Sequence, residues 1–211
     1  MISHKHKCIF VHIPKTGGTS VERVLWPDES DRTEENLWMG FVKPNYNKYQ
    51  TGGLQHLLAW QIKEEVGKAV FDQYYKFSIV RNPWNKAASQ FFFTKRTKML
   101  MKFLNLKTSD NFLCYLEKIQ KIEHVQWQPQ YKFLFDNNGE MLVDDVFRFE
   151  EFDSEVKSAF EKIDPKLLTD DFKLPHIKKH KLAGHHMDIY DDDTLEIVGD
   201  IYREDIKLFG Y

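Results

Sequence analysis

A glycine-containing loop between a short apolar run and an amphipathic stretch constrains the fold of this chain more than any other feature. Residues 8–13 are nearly all apolar, as in a strand that is buried on both faces of a parallel sheet. The loop of residues 14–20 follows, and residues 20–26 have apolar side chains at helical spacing. A strand, a glycine loop and a helix in this order predict an α/β fold with an anion site at the helix N-terminus.

The side chains of this loop suit a phosphate group. Gly17 and Gly18 allow the backbone to come close to an anion, and Lys15 adds a positive charge. Hydroxyl donors come from Thr16, Thr19 and Ser20. A Walker A loop ends in Gly-Lys-Ser/Thr, whereas Lys15 here precedes the glycines. This order disfavours an ATP or GTP hydrolase, and a P-loop-type kinase or NTPase is kept as an alternative.

Periodicity along the rest of the chain predicts further strands and helices. The predicted strands are residues 74–80, 131–135 and 142–147, and the predicted helices are residues 54–66, 84–93, 111–122, 150–163 and 195–209. Strands that alternate with helices favour a central parallel sheet flanked by helices. Because no interdomain linker is evident, we expect a single domain over residues 1–211.

A second anion-binding element is predicted where residues 77–80 end in Arg81-Asn82-Pro83. The guanidinium of Arg81 offers a two-pronged hydrogen-bond donor to a phosphate. Ser89 follows Arg81 by about two helical turns, on a face of the predicted helix that can return toward Arg81. Arg-Asn-Pro alone is a weak signal, and it gains weight from the glycine loop that precedes it.

Together, the glycine loop and the pair formed by Arg81 and Ser89 resemble the motifs of sulfotransferases that use 3′-phosphoadenosine-5′-phosphosulfate (PAPS), specifically the carbohydrate-type, family 2-like members. The resemblance extends over nearly the whole chain and implies a P-loop-like nucleotide-binding fold. It implies that Arg81 and Ser89 bind the 3′-phosphate. It also implies that the 5′-phosphosulfate contacts Lys15, Thr16, Gly17, Gly18, Thr19 and Ser20.

Transfer of a sulfuryl group requires a general base for the acceptor and charge stabilisation for the leaving phosphate. The resemblance implies a His or Glu base between the two nucleotide motifs, and His56 near the start of the predicted helix 54–66 is our choice. Lys15 is expected to stabilise the leaving phosphate, while Glu22 and Glu64 are reserve candidates for the base. The expected acceptor is a carbohydrate or another small molecule with a hydroxyl or amine. A non-catalytic nucleotide- or anion-binding module is the other alternative.

Two basic stretches could help to choose the acceptor. Residues 94–108 contain no acidic residue and five cationic ones, namely Lys95, Arg96, Lys98, Lys102 and Lys107. Residues 173–181 are also basic, and we expect them to form a loop over the nucleotide. Each stretch is either a solvated face or a rim that attracts an anionic glycan.

Composition limits the remaining classes. Thirty basic and 32 acidic residues give a net charge of −2, which provides no overall signal for nucleic acid. No apolar run is long enough for a secretory signal or a membrane span, so a cytoplasmic protein, or a domain separated from its targeting segment, is expected. His180, His185 and His186 lack a cysteine or acidic partner at ligand spacing, so no metal is predicted. The oligomeric state is left open.

Overall fold

A four-stranded sheet lies at the centre of the computed structural model, which describes residues 1–38, 54–168 and 186–211. Its strands, in spatial and sequence order, are β1 (Ile2–Ser3), β2 (Cys8–Val11), β3 (Tyr75–Val80) and β4 (Asp145–Arg148). β2, β3 and β4 are parallel, whereas β1 pairs antiparallel with β2. The sheet is therefore mixed, and the parallel sheet expected from the sequence holds for three of its strands.

Ten helices in the described residues surround or extend this sheet. They are α1 (Gly18–Leu25), α2 (Ala59–Val66), α3 (Lys68–Gln73), α4 (Pro83–Arg96), α5 (Lys98–Phe103), α6 (Phe112–Ile119), α7 (Tyr131–Leu134), α8 (Phe152–Ile163), α9 (Asp192–Ile201) and α10 (Arg203–Phe209). Short 3-10 turns occur at Glu29–Asp31, Leu54–His56, Phe149–Glu151, Pro165–Leu167 and His186–Ile189. A helix is the next element along the chain after β2 and after β3, as the sequence predicted.

The two faces of the sheet bury different side chains because neighbouring residues of a strand point in opposite directions. Ile9 and Val11 belong to a hydrophobic cluster that includes residues of α2, α3 and α7. Cys8 and Phe10 belong to a second cluster with residues of α1 and α8. All four residues of β2 are buried, which explains why its sequence is a continuous apolar run.

A third cluster lies away from the strands and joins α4, α5, α6 and α9. Trp84 and Tyr190 fasten this helical part to the start of α4. The Trp84 indole nitrogen donates to Leu195 O at 3.1 Å, and the Tyr190 hydroxyl donates to Trp84 O at 2.8 Å. The start of α4 is thus tied through Trp84 to Tyr190 and to Leu195 of α9.

Three local predictions require correction. In the predicted strand 131–135, residues 131–134 form α7 instead, because the carboxylate of Asp205 accepts from the backbone N–H groups of Gln130 and Tyr131, each at 2.8 Å, at the start of a helical turn. The predicted helix 54–66 is a 3-10 turn followed by α2. The C-terminal helix is divided at Tyr202 into α9 and α10.

Candidate active site

The loop after β2 is shaped by its own internal contacts. The Thr16 hydroxyl is buried and donates to Ile13 O at 2.9 Å, so this side chain holds the loop closed. Gly17 is left-handed, with a φ of 85°, and precedes the first residue of α1. The N–H of Ser20 donates to Gly17 O at 3.0 Å. The N-terminal end of α1 carries partial positive charge from the helix dipole, which suits an anion.

Both glycines of the loop are required by protein side chains that pack against them. A Cβ on Gly17 would lie 2.7 Å from a ring carbon of Phe152, and one on Gly18 would lie 2.2 Å from Nε2 of His12. Real Cβ atoms do not approach other heavy atoms so closely. The sequence assigned these glycines to the approach of a ligand, and the structure adds a packing role for each.

Lys15 has an unusual backbone and a defined side-chain position. Its φ of 71° lies in the left-handed region, which non-glycine residues rarely adopt and which is often found at functional sites. Its ammonium nitrogen lies 4.3 Å from the centre of the Phe93 ring of α4, within the range of a cation–π contact. The loop and α4 are therefore adjacent at Lys15.

Arg81, at the end of β3, meets the same loop. Its Nη1 donates to Lys15 O at 3.1 Å, and its guanidinium carbon lies 4.3 Å from the centre of the Phe149 ring. Its Nε is buried and has no hydrogen-bond partner in the part of the chain that the structure describes. Burial lowers the pKa of Arg81 to about 10, against an opposing effect of Glu150, so the side chain stays charged at neutral pH. A buried, charged donor without a partner is suited to an anionic ligand.

Gln130 fixes the backbone of Arg81 through two hydrogen bonds. The Arg81 N–H donates to Gln130 Oε1 at 2.9 Å, and Gln130 Nε2 donates to Arg81 O at 2.8 Å. Gln130 is buried, and Asp205 of α10 accepts from its backbone N–H. This brace could not be predicted from the sequence, because an isolated glutamine has no distinguishing pattern.

Ser89 lies on α4, the helix whose Phe93 ring contacts the Lys15 ammonium. It is partly exposed and precedes Phe93 by four residues, so the two side chains are neighbours on the helix surface. Asn82 caps α4 by accepting from the N–H groups of Trp84 and Asn85 at 3.1 and 3.2 Å. Because the cap directly follows Arg81, it fixes where α4 leaves the strand and thus where Ser89 lies.

His56 lies on another side of the loop, in the 3-10 turn Leu54–His56. Its Nδ1 is 3.0 Å from His12 O, and the centres of the two rings are 4.6 Å apart. A carbonyl oxygen only accepts, so Nδ1 carries the proton and the neutral ring has its lone pair on Nε2. Burial and the charge of His12 lower the pKa of His56 to about 3, so the ring is neutral at pH 7.

A buried carboxylate completes this side of the site. Glu22 of α1 lies 2.8 Å from His12 Nδ1 through its Oε1, and both side chains are almost fully buried. Burial alone would raise the pKa of Glu22, but the charge and hydrogen bond of His12 outweigh it and hold the pKa below its usual range. The sequence named Glu22 as a reserve base, but it gave no indication of the contact with His12.

The structure thus brings most of the predicted site residues to one loop. Lys15 and Arg81 are in contact, Ser89 lies on α4, and His12 connects His56 to the loop. The basic segment 173–181, His180 and His185 lie outside the described residues, and so does any loop they form over the site. Glu64 lies on α2 and is exposed.

The basic stretch 94–108 is divided between two roles. Lys95 Nζ donates to three backbone carbonyls, those of Lys107, Thr108 and Asp110, at 3.0, 2.5 and 2.9 Å, so this lysine fastens its own chain. Exposed cationic residues in the same stretch are Arg96, Lys98, Lys102 and Lys107. The stretch begins directly after Phe93, which contacts Lys15, so its exposed charges continue from the candidate site.

Neither a metal site nor a membrane-spanning helix is found in the described residues. No cluster of three or more His, Cys, Asp or Glu side chains there is arranged to hold a metal ion. Within those same ranges, every helix is too short or too polar to cross a membrane.

Comparison with known proteins gave one family and one relative. A family model described as "Sulfotransferase family" matches residues 1–211. A protein of Archaeoglobus fulgidus, described as uncharacterized, is 30% identical over 105 residues, which cover 50% of this chain and 80% of that protein. No solved structure matches the chain.

Proposed function

Because the chain belongs to the sulfotransferase family, we propose that it transfers a sulfuryl group from PAPS to a hydroxyl or amine, with a carbohydrate as the acceptor class. The observation that carries this proposal is the contact between Arg81 and the Lys15 loop. The guanidinium of Arg81 donates to the backbone oxygen of Lys15 through Nη1, and its Nε is a buried donor without a partner in the described residues. A ligand with two separate anionic groups, such as PAPS, fits this arrangement.

The two ends of PAPS would use different parts of the site. The 5′-phosphosulfate would bind the loop and the start of α1, through Lys15, Thr16, Gly17, Gly18, Thr19 and Ser20. The buried hydroxyl of Thr16 supports the loop from within, so the backbone of Thr16 is the part available to the ligand. The 3′-phosphate would bind Arg81 and Ser89.

The reaction is a displacement at sulfur. The acceptor oxygen forms a bond to sulfur while the bond from sulfur to the phosphate oxygen breaks, and that electron pair stays with the phosphate. His56 Nε2 accepts the proton of the acceptor hydroxyl, and the ammonium of Lys15 stabilises the charge that develops on the leaving phosphate. The products are a sulfate ester and adenosine 3′,5′-bisphosphate.

Exposed charge beside the site supports an anionic glycan as the acceptor. Lys98 and Lys102 are exposed, and residues 94–108 contain no acidic residue. A polyanionic chain that reaches Lys15 past Phe93 would contact these charges. Such an acceptor should bind less tightly as the salt concentration rises.

Calorimetric titration with adenosine 3′,5′-bisphosphate tests donor binding directly. We expect saturable binding, and we expect Lys15→Ala and Arg81→Ala each to weaken it by about 1.5–3 kcal/mol, since each removes a charge-assisted contact. Arg203→Ala is a matched control, because Arg203 is exposed and pairs with Asp200 on the surface. Absence of bisphosphate binding, or tighter binding of ATP with magnesium, would overturn the proposal.

Transfer of labelled sulfate from PAPS to a panel of glycans and small alcohols tests the chemistry. We expect sulfated product with at least one acidic glycan, and none with Lys15→Ala. If the protein binds the bisphosphate but sulfates nothing in the panel, a non-catalytic binding module is the better description.

A further inference from the structure

Three side chains beside the loop form a continuous buried array. Glu22 contacts Nδ1 of His12 at 2.8 Å, and His12 contacts His56 both through its carbonyl oxygen and through its ring. The three residues come from α1, from the end of β2 and from the 3-10 turn Leu54–His56. The first two are almost fully buried, which is unusual for a carboxylate without a lysine or arginine partner.

One proton of the array can be assigned from its contacts, because His56 donates through Nδ1 to His12 O. His12 Nδ1 and Glu22 Oε1 lie 2.8 Å apart as an ion-pair contact without hydrogen-bond geometry. The other nitrogen of His12 packs against the Cα of Gly18, where a Cβ would lie 2.2 Å away.

The charged and titratable groups that face the array are few in the described residues. Apart from Glu22, His12 and His56 themselves, the group that faces the array is the amino group of Met1, which donates to Phe10 O at 2.9 Å. Burial lowers the pKa of this amine to about 5, so it is uncharged at pH 7. Glu22 is the carboxylate of the array, and its negative charge raises the pKa of His56 against the effect of burial.

We propose that Glu22 is a positioning residue for sulfuryl transfer: through His12 it orients His56, and its negative charge balances the proton that His56 accepts from the acceptor. This inference rests on the proposed function for its chemical meaning. The coupling from Glu22 to His56 is a property of the protein without ligands and can be measured separately.

The test measures how fast diethyl pyrocarbonate acylates His56 at pH 7, read by mass spectrometry of the peptide that contains it. The reagent attacks the unprotonated ring nitrogen, so its rate reports how basic Nε2 is. Glu22→Gln keeps the size and shape of the side chain and removes the charge that contacts His12. A tenfold fall in basicity gives about a threefold fall in rate at a Brønsted slope of about 0.5, so we expect acylation to slow by about threefold.

Glu29→Gln is the matched control, since Glu29 is an exposed carboxylate just beyond α1, and its rate should equal that of the wild type. If Glu22 only supported packing, its replacement would loosen the turn and expose His56, and acylation would become faster. An unchanged or faster rate in Glu22→Gln therefore overturns the proposal. If Glu22→Gln does not fold, Glu22→Asp, which moves the charge back by one methylene, takes its place, and a rate equal to or above the wild type has the same meaning.

The loaded enzyme provides a second measurement. Glu22→Gln should lower kcat by about 10–100-fold while bisphosphate affinity stays the same. Unchanged turnover would overturn the role of Glu22 in the reaction. Slower acylation in a protein that transfers no sulfate would instead overturn the proposed function and leave the coupling in place.

Discussion

At His56, one hydrogen bond decides which ring nitrogen can act as a base. The bond from Nδ1 to His12 O leaves Nε2 with the lone pair, and the low pKa keeps the ring neutral. A base with a pKa of about 3 is weak in the ligand-free protein. We expect the phosphate charges of a bound donor to raise the pKa of His56, because nearby negative charge favours the protonated form.

Replacement of His56 by alanine tests its role. We expect turnover to fall by about 10²–10⁴-fold, the usual contribution of a positioned base. Bisphosphate affinity should be retained, because no loop residue or Arg81 contact is removed. Steady-state sulfate transfer and calorimetry on the same preparation measure the two quantities, and an unchanged turnover would remove His56 from the mechanism.

At the scale of elements, the connection from β2 to α1 depends on two glycines that the sequence marked for a different reason. The prediction of a strand, a loop and a helix required only local patterns, and the structure has all three. That Gly17 lies under Phe152 and Gly18 under His12 could not be predicted, because Phe152 comes from a distant part of the chain and ring positions are set by packing.

Substitution of Gly18 by alanine should lower the free energy of unfolding by about 1–3 kcal/mol, the usual cost of overpacking a core. Gly199 provides the contrast, since it lies within α9 and a Cβ there would be 3.8 Å from its nearest neighbour, Trp84. Gly199→Ala should stabilise the protein by about 0.5–1 kcal/mol, because alanine favours a helix interior. Urea unfolding measures both variants, and a Gly18→Ala protein as stable as the wild type would contradict the packing role.

Long-range contacts explain where the sequence failed. Residues 131–135 have a strand-like composition, but Asp205 caps their first N–H groups and the segment becomes α7. The brace of Gln130 on Arg81 joins residues 49 apart in the chain. In contrast, the order of β3, Arg81 and α4 depends on local pattern, and the sequence predicted it; that Arg81 and Ser89 bind one phosphate stays a prediction.

For the whole molecule, His56 couples stability to pH. The unfolded chain protonates this ring near its ordinary pKa of about 6.5, whereas the folded protein does so only near 3. Between these values the unfolded state binds more protons, so the free energy of unfolding rises with pH and falls as the solution is acidified. Burial lowers the pKa of His124 to about 4, which adds a contribution of the same sign.

Comparison of His56→Gln with the wild type isolates the contribution of His56. Glutamine can still donate to His12 O, but it does not titrate. We expect the slope of unfolding free energy against pH, between pH 4 and 6, to be smaller in the variant by as much as about 1.4 kcal/mol per pH unit. Urea unfolding across this range is the measurement, with exposed His4→Gln as the control. Parallel curves for His56→Gln and the wild type would contradict the low pKa.

The brace on Arg81 has a consequence for synthesis on the ribosome. Gln130 holds the backbone of Arg81, and the carboxylate that fixes Gln130 belongs to Asp205, 75 residues later in the chain. During synthesis, the backbone of Arg81 can therefore gain this support only after Asp205 has left the ribosome. The growing chain contains all residues of both anion-binding elements long before it contains the carboxylate that holds the second in place.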